Sequence, residues 1–333
     1  MTIVFVPINT NIPLYKQFPE ENGIFENYKF VFSDSCPDAD YTVVFDDLIE
    51  PVTITTDKQH TLLFTCEPPT VKKYPESYLR QFGHVYTCHE KLIKRGYNKC
   101  IPALPWMLLY DFYGKGNNNI SNYFNLSFNS SRKDRLCVLT SNKKLSVGHC
   151  RRINFVNKLK EALPNCVDIY GNGFNNFDSK DKILSEYKYC VVIENCSYPN
   201  YWTEKLSDAI LAGCYPIYFG DPNIFKYFDE DELSIIDINN FDESLNKIKS
   251  IMRDRIYEKR QTNIETARQK ILYKYNMIYI IKSELDRFNN KVNNNTNLPY
   301  ILSPSKCSIF IRIKKRLKKD FLNFLPIKFI AKL

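Results

Sequence analysis

Along the first hundred residues, apolar positions gather into short runs of strand formers separated by turns. The runs Ile3–Pro7, Tyr28–Phe32, Tyr41–Phe45, Thr61–Thr65 and His84–Thr87 are each long enough for one strand. Between them lie turn-rich or amphipathic segments, of which Val71–Phe82 has helical spacing. Strands alternating with helical stretches predict an α/β layer with a mainly parallel sheet. A polar stretch from Gly114 to Arg135 then interrupts with the composition of a linker.

After it the pattern restarts and is clearer. Strands are expected at Leu136–Thr140, Cys166–Tyr170, Tyr189–Glu194 and Tyr215–Phe219. Helices are expected at Arg151–Leu163, Lys180–Tyr187 and Thr203–Ala212. This β-α-β-α-β-α-β series predicts a second, doubly wound domain. Phe241–Asn289 follows as a long helical region with charged faces, and a second Asn-rich linker comes after it. The domain reading is therefore 1–130, 131–290, a linker at 291–306, and a tail at 307–333.

Charge changes this picture only when it is located. The net charge is +9, yet positions 306–333 hold nine Lys and Arg against the single acid Asp320. The body is close to neutral, which argues against a nucleic-acid groove along it. The eleven cysteines show no CxxC or Cys/His metal spacing, and Cys137, Cys190 and Cys214 sit in apolar strand-like runs. Reduced, buried thiols in a cytosolic protein are the expectation. The start, MTIVFVPINTNIP, lacks a basic region and a long apolar core, so no signal peptide is read there. No run of about 20 apolar residues exists to span a bilayer.

In open α/β sheets ligands bind beyond the carboxyl ends of the strands. Three strand ends of the second domain are polar there: Ser141-Asn142, Gly171-Asn172-Gly173 after Tyr170, and Glu194-Asn195. Neither a GxGxxG fingerprint nor a phosphate-binding GxxxxGK[ST] loop is present. Instead Thr203-Glu204-Lys205 opens a helix, whose free N–H groups and partial positive charge suit phosphate. Lys205 with Arg151 or Arg152 would complete a diphosphate clamp. The competing account takes Glu204-Lys205 as an exposed first turn and Tyr201-Trp202 as packing.

The stretch YKYCVVIENCSYPNYWTEKLSDAILAGCYPIYFGDP closely resembles the donor-site motif of the α-1,3/1,4-fucosyltransferases, glycosyltransferase family ten. The matching positions are Tyr187, Lys188, Glu194, Asn195, Tyr201, Thr203, Glu204, Lys205, Leu206, Ala212, Gly213 and Pro216. Upstream, Ser141-Asn142, the helix-opening arginines and the strand ending Tyr170-Gly171 are similar to the family as well. The resemblance covers about 135–228. It implies a GT-B fold, two Rossmann-like domains facing across a cleft, and inverting transfer of L-fucose from GDP-β-L-fucose. Carried over by position, Asn195, Tyr201, Glu204 and Lys205 line the GDP-fucose site, and Arg152 with Lys205 neutralises the diphosphate. Glu194 orients the loop or contacts the ribose. Thr203, Ser141, Asn142, Tyr170 and Gly171 complete the donor-binding set.

Inversion needs a general base on the acceptor side, and the family places a Glu there in a Glu-Ser-Pro-like motif after a strand. Here Glu67 follows a strand and precedes Pro68-Pro69, so Glu67 is the expected base. Asp46-Asp47, also at a strand end, is its rival. The acidic run Asp229–Glu232 is expected to be a solvated surface, and no obligatory metal or other cofactor is predicted. Transfer to an N-acetylglucosamine or glucose unit of a lipopolysaccharide or other cell-surface glycan, in α-1,3 linkage, is what the resemblance implies. A family relative using another nucleotide sugar, or an inert membrane-bound saccharide- or nucleotide-binding protein, remains the alternative.

The tail places Phe310, Ile313, Leu317, Phe321 and Phe324 on one helical face and Arg312, Lys315, Arg316 and Lys319 on another. Such a basic amphipathic helix is expected to lie in an anionic membrane interface, through 308–333. Docking on the catalytic body is its alternative. A cytoplasmic protein peripheral to the inner face of the plasma membrane, acting on an oligosaccharide or lipid-linked saccharide, is the combined expectation.

Overall fold

The computed structural model describes residues 1–7, 23–109, 131–144, 146–288 and 298–305. Positions 114–130 of the expected linker and the basic tail lie outside these residues, and the linker's last residues, Lys133 to Arg135, open a strand instead. Among the described residues, no helix is long and apolar enough to cross a membrane.

The first unit contains β1 (Thr2–Pro7), β2 (Ile24–Phe25), β3 (Tyr28–Ser33), β4 (Tyr41–Phe45), β5 (Val52–Ile54) and β6 (Thr61–Phe64). Helix α1 (Glu76–Leu79), β7 (His84–Thr87), α2 (Glu90–Ile93) and β8 (Asn98–Lys99) complete it. Its sheet runs β2-β3-β1-β4-β6-β7-β8, parallel except where β2 meets β3. Helix α1 is far shorter than the Val71–Phe82 pattern suggests, because Pro75 sits at its N-cap. A residue before proline is biased to extended backbone, so the helix cannot start earlier.

The second unit contains β9 (Lys133–Leu139), α3 (Val147–Ala162), β10 (Val167–Tyr170) and α4 (Lys180–Leu184). Strand β11 (Tyr187–Ile193), α5 (Glu204–Leu211), β12 (Tyr215–Phe219) and β13 (Ser234–Ile235) follow. The sheet is all parallel, ordered β10-β9-β11-β12-β13. The order reverses between β9 and β11, which places a crevice at their carboxyl ends. Residues on β11 alternate between two cores. Tyr189, Val191 and Ile193 pack with Phe155, Val156 and Leu159 of α3. Cys190 and Val192 pack with Leu206, Ala209 and Ile210 of α5. Both faces of this strand are covered, as a parallel sheet requires.

The remaining chain is helical in pieces: α6 (Phe241–Arg253), α7 (Ile256–Lys259), α8 (Gln261–Tyr273) and α9 (Met277–Arg287). Arg255, with φ +52, separates α6 from α7. Asn276, whose side chain accepts from Ile278 N–H, caps α9. Helix α9 then returns to the first unit. Tyr28 donates to Asp286 at 2.7 Å and Lys282 pairs with Glu26 at 3.0 Å. Beyond it β14 (Tyr300–Leu302), inside the segment read as a linker, pairs antiparallel with β5. The two units also share a core: Val4, Val43 and Leu62 join Trp106, Leu206, Ile210, Ile271 and Ile278 in one apolar cluster.

Candidate active site

Glu194 ends β11 and is 1% exposed. An ionised carboxylate in that position needs partners, and the next helix supplies them. Thr203, the N-cap of α5, donates to Glu194 through its backbone N–H at 2.8 Å and its hydroxyl at 2.8 Å. Lys205 Nζ donates to Glu194 at 3.2 Å and to the Thr203 hydroxyl at 2.9 Å. Strand end and helix start are therefore locked together around one acid. Burial pushes the Glu194 carboxyl up while Lys205 pulls it back. The Lys205 ammonium, opposed by burial, is raised by Glu194 and Glu204 and stays charged.

The α3 N-terminus closes the same seam. Gly148 packs so tightly that a Cβ there would lie 1.8 Å from the Asn195 carbonyl oxygen. This approach brings Arg152, 5% exposed, to Asn195, where it donates to Oδ1 at 2.6 Å. Its Nε is buried without a partner among the described residues. Gly171 takes φ +126, and a Cβ there would lie 1.8 Å from the Thr140 carbonyl oxygen. Only glycine fits that approach, so the β9 and β10 ends stay flush.

Between these walls lies a cavity of 420 Å³ at the β9/β11 crevice. Of the expected donor residues, Ser141, Tyr170, Gly171, Glu204 and Lys205 line it. Arg152, Glu194, Asn195 and Thr203 form the bonded frame beside it. Asn142 is held by its N–H to the Asn172 carbonyl at 2.9 Å, next to Gly173. Tyr201 is 2% exposed, and Glu194, Glu67 and Glu204 all act on its phenol, which burial above all keeps protonated. Within the matched motif, Tyr187 and Lys188 turn away from this site, to Asp168 at 2.9 Å and Glu258 at 2.6 Å.

Two charged cavity residues escaped the sequence reading. Lys180 pairs with Asp208, which is 1% exposed, at 2.5 Å. The other Asp208 oxygen accepts the N–H groups of Met107 and Leu108, each at 2.9 Å, in the segment leaving the first unit. Asp208 lies one helical turn after Glu204, and that spacing was the available signal. Burial raises the Glu204 carboxyl, but Lys205 and Lys180 overcome it and hold it at about 2.

Across the cleft, Glu67 follows β6 and is close enough to Lys205 and Glu204 for their charges to act on it. Burial, then the like charge of Asp46, raises its carboxyl to about 7. The rival pair is otherwise engaged: Lys72 bridges Asp46 at 2.8 Å and Asp47 at 3.1 Å, and Ser305 N–H binds Asp47 at 2.9 Å. The acidic run at 229–232 is less solvated than expected, since Lys270 pairs with Asp229 at 2.7 Å and with buried Glu232 at 2.9 Å. Among the described residues no group of three His, Cys, Asp or Glu is placed to hold a metal ion.

Residues 129–259 match the C-terminal model of glycosyltransferase family 10, the fucosyltransferases. Over that stretch, about two fifths of its length, the chain is similar to the family's C-terminal domain. An α-(1,3)-fucosyltransferase B of Drosophila melanogaster is 36% identical over 106 residues, 27% of this chain and 23% of that one. The α-(1,3)-fucosyltransferase FucT of Helicobacter pylori is 37% identical over 75 residues, 22% of this chain and 16% of that one. The matched stretches thus span less than a quarter of these family 10 relatives. A crystal structure of α1,3-fucosyltransferase with GDP-fucose shares the fold over 89% of this chain and 93% of that one, at 17% identity and TM-score 0.50. The fold shared with that structure is GT-B.

Proposed function

We propose that this protein is a family 10 glycosyltransferase, an inverting fucosyltransferase that moves L-fucose from GDP-β-L-fucose to a saccharide hydroxyl, in α-1,3 linkage. The observation that carries the reading is the opposition of Glu67 to Lys205 and Glu204 across the cleft. It sets a carboxylate poised near neutrality against a cationic, helix-start anion site.

In the proposed reaction the acceptor oxygen attacks the anomeric carbon of fucose from the face opposite GDP. Glu67 takes its proton as the new C–O bond forms and the bond to the diphosphate breaks. The electron pair leaves with GDP, so negative charge grows on the β-phosphate. In this reading Lys205 and Arg152 meet that charge as it develops, and fixed donors there lower the barrier. With two cations in place, the clamp needs no divalent ion. The α-(1,3) activity of the similar fucosyltransferases supports the linkage, and an N-acetylglucosamine or glucose unit of a cell-surface glycan is the proposed acceptor.

A donor screen with linkage analysis of the product tests this. GDP release from GDP-fucose should depend on a saccharide acceptor and yield an inverted product. Preference for a UDP-sugar would overturn the donor assignment. GDP binding without transfer to any saccharide would favour an inert binding protein instead.

A further inference from the structure

The residues around Glu67 form a closed hydrogen-bond frame that the transfer reaction itself does not use. The Glu67 N–H donates to the Tyr74 hydroxyl oxygen at 3.2 Å. That hydroxyl spends its own proton on Asp46 Oδ1. On the other side, His89 Nε2 lies 2.8 Å from the Glu67 carbonyl oxygen. A carbonyl can only accept, so Nε2 carries the proton. Burial lowers the His89 imidazole, which keeps this neutral tautomer at physiological pH. The Tyr74 and His89 rings meet edge to face, with centroids 5.3 Å apart.

Asp46 anchors the frame. It leaves β4 at φ +58, a conformation Asp tolerates better than most residues. Its N–H still reaches the Phe64 carbonyl of β6 at 2.7 Å, so the turn stays tied to the strand that carries Glu67. Both oxygens are occupied, one by Tyr74 and one by Lys72. Asp46 is thereby unsuited to be the base itself, yet its charge is held beside the base.

We propose that Asp46, Tyr74 and His89 are positioning residues for Glu67: Tyr74 and His89 fix its backbone from both sides, and Asp46 sets the charge it faces. This rests on the reading of Glu67 as the base. Other groups acting on Glu67 are Lys72 from its own loop and Glu204 and Lys205 from α5. The thiols of Cys66, Cys88 and Cys196 and the phenol of Tyr201 also face it, all kept neutral above all by burial.

The test is kcat/KM against pH, with GDP affinity measured by calorimetry on the same full-length variants. A base acts only when deprotonated, so activity rises through its pKa. Asp46→Asn keeps an acceptor for Tyr74 but removes the like charge, so the acid limb should move down by about one pH unit. Tyr74→Phe keeps the ring and should lower kcat roughly tenfold, with unchanged GDP affinity. His89→Ala should do the same, and His89→Gln, which still offers an N–H, should restore most of the loss. If Glu67→Gln abolishes turnover while the Asp46→Asn limb stays in place, the positioning proposal fails and the base survives. Should Asp46→Asn not fold, an unchanged kcat in Tyr74→Phe overturns the proposal equally. If Glu67→Gln turns over normally, the base reading falls first.

Discussion

The two sheets present their carboxyl edges to one cleft, and the edges treat Glu204 and Glu67 in opposite ways. In the second unit, Lys205 and Lys180 surround Glu204 and hold it at about 2, whereas burial leaves Glu194 raised in spite of Lys205. In the first unit, Glu67 lies beside Asp46 and is lifted to about 7. The backbone plan is similar on both sides; at Glu204 the lysines outweigh burial, and at Glu67 burial and Asp46 outweigh the lysines. In the proposed reaction one edge would hold charge and the other would exchange a proton. A transfer reaction that releases an anion from one partner and a proton from the other needs both.

The largest break in this comparison should come from Lys205→Met. It leaves Glu194 buried with Thr203 only, so stability should fall by roughly 3 kcal/mol and donor-dependent turnover by about 1000-fold or more. Thermal unfolding and GDP titration separate the two losses. On the other edge, Glu67→Gln should cut kcat by about 100- to 10,000-fold while leaving GDP affinity unchanged. Its stability effect has a definite sign. A carboxyl raised from 4.5 to about 7 by the fold contributes stability below pH 4.5 that is lost as pH rises through 7. Denaturant unfolding should therefore show Glu67→Gln gaining on the parent between those values.

A smaller effect is expected from Gly148→Ala, whose methyl would meet the Asn195 carbonyl. A cost of about 1–3 kcal/mol, with weaker GDP binding, follows from overpacking, and an unchanged melting curve would refute the close approach. The mildest and sharpest test is Glu204→Gln. Its depressed carboxyl contributes stability above pH 4.5 that is lost as pH falls toward 2. The variant should flatten the acid limb of the stability curve and leave the limb near 7 in place.

What was legible differs between the edges for the same physical reason. The β11–α5 seam is local: Glu194, Thr203 and Lys205 lie within one strand-loop-helix unit, so sequence pattern and family resemblance both reach it. Strands of four or more residues were readable from their apolar runs of strand formers. The two- and three-residue strands β2, β5, β8, β13 and β14 were not, because only their distant partners make them strands. The long helical pattern over 241–289 concealed breaks at Arg255 and Asn276, where one backbone angle and one cap decide. Glu67 could be nominated from its place after a strand. Its frame of Asp46, Tyr74 and His89 joins three loops, and no spacing along the chain signals that. Lys180 and Asp208 fall between these cases, since one helical turn relates Asp208 to Glu204 but nothing local relates it to Met107.

Strand β14 carries one more consequence. It brings Ser305 onto Asp47, and Asp47 shares Lys72 with Asp46. The last brace of the Asp46–Asp47 turn is therefore synthesised more than two hundred residues after the turn itself.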